Sequence, residues 1–158
     1  LAIEALQDIR IKYRWEAIDL ENNQIKEATS KGKRFIAEEF SNGDSRKLLL
    51  ARSRYLLYKS PINWTDNQKF RAKILFEEYP HIKKAFDLVQ GLRSIFNTSK
   101  SMNIAYTKLA HWYKDVELAG FKSFNTIVNT ISVNYKSILN YFINRSTNAS
   151  ADREAATK

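Results

Sequence analysis

The chain lacks cysteine and has few of the residues that make turns. Its 158 residues include no cysteine, four glycines and two prolines. The absence of cysteine excludes disulfide bonds, thiolate zinc sites and cysteine nucleophiles. So few glycines and prolines disfavour a many-stranded β fold, which needs frequent tight turns, and they favour long helices. The sequence therefore predicts an all-α fold without a substantial sheet.

The chain also lacks a long hydrophobic segment. No run approaches the roughly 18 apolar residues that a membrane-spanning helix needs, and the start lacks the basic and apolar regions of a secretory signal. Hydrophobic residues still make up 44% of the chain, too many for a disordered protein. We therefore expect one compact domain, no membrane partner and a cytoplasmic location. Because Leu1 is not an initiator Met, we also expect an excised segment.

Positive charge is concentrated in the middle of the chain. The formal net charge is +9, and residues 46–100 hold twelve basic and four acidic side chains. Residues 1–45, in contrast, hold seven basic and nine acidic side chains. Such a concentration is typical of a surface that binds nucleic acid or another polyanion, but a solvated basic helix face has the same signature. Composition alone leaves both interpretations open.

Apolar residues recur at helical spacing in about six segments, which predicts a single helical bundle. The first helix, over residues 1–28, carries two apolar stripes, so one can face the core while the other needs a second partner. The first stripe is Ala2, Leu6, Ile9, Tyr13, Ala17 and Leu20, and the second is Ile11, Trp15, Ile18 and Ile25. The later helices are expected to begin at Asp44 or Ser45, at a capping box over residues 65–68, at Pro80, at Ser101 and at Ser123. The expected ends are Tyr58, Glu78 and Gly120.

Residue patterns typical of catalysis are absent from the sequence. His81 and His111 are isolated, and neither has a second histidine or a carboxylate at a metal-ligand spacing. The adjacent acidic pairs at residues 38–39 and 77–78 do not face each other on a helix. No Gly-rich phosphate loop occurs. The residues therefore predict no metal site, no cofactor and no catalytic residue in this chain.

Three groups of short motifs follow one another along the chain. The first is Arg52-Ser-Arg-Tyr-Leu-Leu-Tyr-Lys59 with Asn63-Trp-Thr, and the second is Ala110-His-Trp-Tyr113 with Gly120-Phe-Lys-Ser-Phe124. The third is Asn144-Arg-Ser-Thr-Asn-Ala149. In this order and spacing they resemble the helical part of DDE-type insertion-sequence transposases of the ISL-three family, over about residues 1–151.

The resemblance implies a position within a longer enzyme. The catalytic core of that family is ribonuclease-H-like, and two aspartates and a glutamate hold two Mg or Mn ions. The resemblance places this chain between the second aspartate and the glutamate, as a helical insertion domain over residues 1–145 followed by a flexible tail over 146–158. The run Asp152-Arg-Glu-Ala-Ala-Thr-Lys158 departs from the expected glutamate motif after Ala151. No catalytic role is therefore carried over to Asp152 or Glu154, and the chain alone is expected to be inactive, with the metals belonging to the full-length parent.

The implied role is contact with transposon-end DNA or with the synaptic assembly. The implied partners are DNA at the bacterial nucleoid, the rest of the transposase chain and, as a possible assembly, a homo-oligomer. The first candidates for DNA contact lie on the second predicted helix: Arg46, Lys47, Arg52, Arg54 and Lys59. The second candidates lie on the third and fourth: Lys69, Arg71, Lys73, Lys83 and Lys84.

Two alternatives remain open from the residues. The chain can instead be a helical protein-interaction module whose basic face meets an acidic partner. Trp64 and Trp112 can stack on an unpaired base, as aromatic side chains do in single-strand binding, although packing in the core is the favoured interpretation for both.

Overall fold

The computed structural model describes residues 2–134 together with residues 137, 138 and 140. All regular secondary structure in these residues is helical, and the only extended pairing among them is an isolated antiparallel bridge between Glu39 and Ser45. The all-α prediction is therefore confirmed. The α-helices are α1 (Ala2–Ser30), α2 (Arg46–Arg52), α3 (Arg54–Tyr58), α4 (Asp66–Glu78), α5 (Pro80–Thr98), α6 (Met102–Ala119) and α7 (Lys122–Val133), with a 3-10 turn at Pro61–Asn63.

The chain divides into two compact units, and the boundary between Asp87 and Leu88 falls within α5. Large residues of the first core include Leu6, Leu49, Leu50, Leu56, Leu57, Leu75, Ile82 and Phe86. Those of the second core include Val89, Leu92, Leu109, Trp112, Val116, Phe124 and Ile127. The expected tail over residues 146–158 lies outside the described residues, so the predicted boundary at residue 145 stays a prediction.

Helix α1 buries one side and exposes apolar side chains on the other. Leu6 is fully buried, whereas Trp15 is 62% exposed and Ile11 and Ile25 are also exposed. The first unit therefore leaves the second predicted stripe largely uncovered. Leu20 belongs to the stripe that is predicted to face the core, but it is exposed. It lies beyond Ala17, the last buried residue of α1.

The helix after residue 45 does not run unbroken to Tyr58 as predicted. It is divided at Ser53, whose buried Oγ donates a 2.6 Å hydrogen bond to the carbonyl of Leu49. A serine that bonds back to the preceding turn commonly bends a helix. The division separates α2 from α3 and places Arg52 and Arg54 on different helices.

Most predicted helix ends are confirmed by the cap geometry. Thr65 and Gln68 form the predicted capping box, Ser101 accepts the amide of Ile104, and Gly120 ends α6 with a left-handed φ of 75°. The predicted cap at Ser123 is wrong. Because Gly120 turns the chain sharply, α7 already begins at Lys122, and the carbonyl of Phe121 accepts the amide of Phe124 at 3.2 Å.

A helix that crosses a membrane must be both long and apolar. Over the described residues, none of the helices combines the length and apolar character needed to cross a bilayer.

Candidate nucleic-acid interface

Arg46, the first residue of α2, is tied to the C-terminal end of α4. Its Nη2 lies 3.0 Å from Glu78 Oε2, and its Nη1 donates to the Tyr79 hydroxyl at 3.1 Å. The guanidinium also lies over the rings of Phe40 and Tyr79, 5.3 and 5.7 Å from their centroids. The hydrogen bond to Tyr79 raises the pKa of Arg46, and burial offsets part of this increase. Arg46 therefore fastens α2 to α4 within the first unit.

Asp44 forms ion pairs with two of the candidate arginines, Arg52 and Arg71. Its side chain is 1% exposed, and its two oxygens accept Arg52 Nη1 at 2.6 Å and Arg71 Nε at 2.7 Å. Asn42 Nδ2 donates to the second oxygen at 2.8 Å. Burial acts to raise the pKa of Asp44, but the hydrogen bonds from Arg71, Arg52 and Asn42 together hold that pKa below its ordinary value. The carboxylate is thus a charged junction between α2, α4 and the preceding turn.

Two of the candidate lysines are also ion-paired. Lys47 Nζ lies 3.1 Å from Glu21 Oε1 on α1. Lys83 Nζ lies 2.7 Å from Asp87 Oδ2, one turn later on α5, and 5.7 Å from the centroid of Phe76. Lys47, Arg52 and Arg71 all pair with acidic residues from the first 45 positions. The excess of acidic charge in that segment therefore neutralises part of the central basic segment.

The other candidates of the first unit have no carboxylate partner among the described residues. Arg54 is exposed, with its guanidinium 5.6 Å from the centroid of Tyr55. Lys59 Nζ has a neutral partner, Gln68 Oε1, at 3.3 Å. Lys69, Lys73 and Lys84 are exposed. Lys69 and Lys73 lie one turn apart on α4. Lys59 bonds to Gln68 in the first turn of the same helix.

Arg10 of α1 is a buried charge that the sequence analysis missed. It is 4% exposed, its Nε donates to Gln7 Oε1 at 2.6 Å, and its Nη1 donates to the carbonyl of Leu50 at 3.0 Å. Gln7 Nε2 in turn donates to the carbonyl of Arg54 at 2.9 Å. Arg10 lies in the segment with net acidic charge, residues 1–45, so counting charge by segment did not single it out. The available signal was the i,i+4 spacing of Arg10 and Arg14 beside an apolar stripe.

The two candidate stacking tryptophans pack inside their units. Trp112 is 3% exposed, and its indole N–H donates to the carbonyl of Leu88 at 2.8 Å. Trp64 is half-buried, donates to the carbonyl of Leu56 at 2.7 Å and stacks on Phe86 with 5.6 Å between ring centroids. Both indoles thus make the structural contacts favoured from the sequence.

The described residues do not fit a divalent metal site. No group of three His, Asp or Glu side chains within them could hold an ion. Asp44 is the only buried carboxylate in this part of the chain, and its oxygens are already bonded to two arginines and an amide. Asp152 and Glu154 lie outside the described residues. The Mg or Mn ions implied by the resemblance therefore stay a prediction for a longer parent chain.

Comparison with known proteins identifies the chain's relatives at the family level. Neither the curated proteins nor the solved structures yielded a match. A family model described as a transposase, of the DDE type and the ISL-three family, matches residues 1–152. This match covers nearly the whole chain and agrees with the order of motifs in the sequence. The chain therefore belongs to the ISL-three family of DDE transposases.

Proposed function

We propose that this chain acts in DNA transposition by holding the phosphate backbone of transposon-end DNA. The observation that carries the proposal is a set of basic side chains without carboxylate partners in a member of a transposase family. Among the DNA-contact candidates predicted from the sequence, those without a carboxylate partner in the described part of the first unit are Arg54, Lys59, Lys69, Lys73 and Lys84. Unpaired cations can exchange their counterions for phosphates without breaking an internal ion pair.

The ion-paired candidates have a different role in this proposal. Arg46, Lys47, Arg52 and Lys83 each contact a carboxylate, which a phosphate would have to displace before it could bind. DNA contact then depends mainly on the unpaired set. The chain acts on DNA at the bacterial nucleoid, and cleavage and strand transfer belong to the complete transposase.

Salt-dependent binding to duplex DNA tests the proposal. The affinity of the whole chain for a labelled duplex would be measured by fluorescence anisotropy at several salt concentrations. On duplex DNA, log K falls against log salt with a slope of about −0.9 for each neutralised phosphate. Replacing Lys59, Lys69 and Lys73 by Gln should weaken binding and make the slope shallower by about 1 for each phosphate that is no longer neutralised.

A charge-matched variant serves as the control. Lys26, Lys33 and Lys108 are exposed and have no ion pair within the described part of the chain, so their replacement by Gln removes the same charge elsewhere. If both triple variants lose affinity equally, the effect is one of net charge and the proposed surface is wrong. If the unaltered chain does not bind at about 50 mM salt, DNA contact by this chain is refuted, and an acidic protein partner becomes the better interpretation.

We also propose that the rest of the transposase chain covers the exposed stripe of α1. Ile11, Trp15 and Ile25 are large apolar side chains on the surface of the helix that opens this sequence. Because the chain has no cysteine, a Trp15→Cys variant can carry one environment-sensitive fluorophore. Its emission should shift to shorter wavelength in the longer transposase than in this chain. Identical spectra would refute this contact, and a label at exposed Lys26→Cys controls for changes elsewhere.

A further inference from the structure

Arg10 is a buried charge without an opposite charge beside it. Its two hydrogen-bond acceptors, Gln7 Oε1 and the carbonyl of Leu50, are both neutral. No carboxylate pairs with it among the described residues. Buried charges in proteins are normally paired, since an isolated charge pays a large desolvation cost. The two neutral acceptors fix the plane of the guanidinium but leave its charge uncompensated.

Two exposed arginines lie beside this buried charge. Arg14 follows Arg10 by one turn on the same face of α1. Arg54 begins α3, and Gln7 joins its backbone carbonyl to the turn of α1 that holds Arg10. Burial lowers the pKa of Arg10, and the charges of Arg14 and Arg54 lower it further, while Tyr58 offsets part of this decrease. Neither Arg14 nor Arg54 forms an ion pair within the described part of the chain.

We propose that Arg10, Arg14 and Arg54 form a binding site for one phosphate group of the DNA backbone. Arg14 and Arg54 supply the hydrogen bonds to the phosphate oxygens, since a guanidinium matches two of these oxygens at once. Arg10 is a positioning residue that adds a buried charge held in place by Gln7 and the carbonyl of Leu50. This site rests on the proposed DNA-binding function and extends it to α1, outside the central basic segment.

The test uses an exposed double variant, Arg14→Gln with Arg54→Gln, in the whole chain. Its matched control, Lys26→Gln with Lys33→Gln, removes two charges from exposed positions of the first unit. A second double variant, Arg14→Lys with Arg54→Lys, keeps the charge but loses the paired donors. Circular dichroism verifies that each variant remains helical. Two probes are used: inorganic phosphate, followed by thermal unfolding against chloride of equal ionic strength, and a labelled DNA duplex, followed by anisotropy.

The expected pattern has two parts. Inorganic phosphate should raise the melting temperature of the unaltered chain and of the control, but not that of the Gln variant, because a ligand stabilises only a protein that binds it. For duplex DNA, the Gln variant should bind about tenfold more weakly and with a salt slope shallower by about 1, while the control changes by less than about twofold. The Lys variant should keep the slope and lose part of the affinity.

The remaining outcomes distinguish failure of the phosphate site from failure of the proposed DNA-binding function. If the Gln variant binds DNA like the control, the phosphate site is refuted and the DNA-binding function stands. If phosphate stabilises the unaltered chain through these arginines but DNA does not bind, the site serves a free anion, and both the DNA assignment and the proposed function fail. If phosphate has no effect on the unaltered chain, the site is refuted whatever the duplex does.

Discussion

Arg71 Nε lies 2.7 Å from Asp44 Oδ2, which joins α4 to the turn before α2 across 27 positions of sequence. The other oxygen of Asp44 accepts Arg52 at 2.6 Å. Two arginines that the sequence offers for DNA contact are therefore part of the internal structure of the first unit. Charge counted along the sequence overestimates the charge that is available to a ligand, because it does not show which side chains pair.

Replacing Asp44 by Asn should destabilise the first unit strongly. The amide retains the shape but removes the charge that Arg52 and Arg71 share, and the loss of these charged hydrogen bonds should cost about 2 kcal/mol, because the arginines left behind are partly exposed. Urea unfolding followed by circular dichroism measures the difference. Exposed Asp19→Asn is the control, with a change within about 0.5 kcal/mol. Equal stability of the two variants would show that the Asp44 junction contributes nothing.

The same carboxylate should make stability depend on acid pH. The pKa of Asp44 is lower in the folded chain than its ordinary value of 3.8, so the unfolded chain binds the proton more readily. The stabilisation is therefore present above about pH 4 and is lost as the pH falls toward the lowered folded pKa. Unfolding free energies measured across this range should fall less steeply for Asp44→Asn than for the unaltered chain. Parallel curves would contradict the assignment.

Local signals in the sequence predict much of the fold. The capping box at Thr65 and Gln68, the cap at Ser101 and the stop at Gly120 depend on residues within one turn of each other, and all three are present. A glycine in the middle of a helix, as at Gly91, indicates close packing. Trp112 does lie against it, although an added Cβ would stand 3.5 Å from the indole, an ordinary contact distance.

The remaining features depend on contacts between distant residues. Periodicity alone could not show that Ser53 divides a helix through a bond to Leu49, since its neighbours are equally helical. Nor could residue counts show that Glu21 neutralises Lys47, or that Arg10 is buried within an acidic segment. The sequence predicts the candidate site as a set of charges, and the structure divides that set into paired and unpaired groups.

Two glycine substitutions should have opposite effects on stability. Gly120→Ala should cost about 1 kcal/mol, because its φ of 75° is a left-handed conformation that a side chain disfavours. Gly91→Ala should be neutral or stabilising by up to about 1 kcal/mol, because alanine is the better helix former and the added methyl group meets only ordinary contacts. Thermal unfolding of the two single variants measures both. Shifts of the same sign would contradict the expected geometry of one of these positions.

The chain alone should not cleave DNA when Mg or Mn is added. Two-metal catalysis needs several carboxylates around a pair of ions about 3.5 to 4 Å apart, and no such group occurs among the described residues. Incubation of pure protein with supercoiled plasmid and either metal, followed by gel electrophoresis, checks this expectation. The same samples should show DNA binding by anisotropy, so that inactivity is distinguished from failure to engage the substrate. Metal-dependent nicking that co-purifies with the protein would overturn this expectation.

Arg52 and Arg54, two positions apart, should separate stability from DNA binding. Arg52→Gln removes a charged hydrogen bond to Asp44 and should cost about 1 to 2 kcal/mol, with little change in salt slope. Arg54→Gln removes an exposed contact with Tyr55, worth about 0.5 kcal/mol, and also relieves the repulsion of Arg10, so stability should change little. It should nevertheless weaken DNA binding and make the salt slope shallower. For each variant, urea unfolding gives the free energy of unfolding and anisotropy gives the salt slope of DNA binding. If Arg52→Gln shifts the salt slope as much as Arg54→Gln does, the ion pair with Asp44 opens on DNA, and the division between paired and unpaired arginines is wrong.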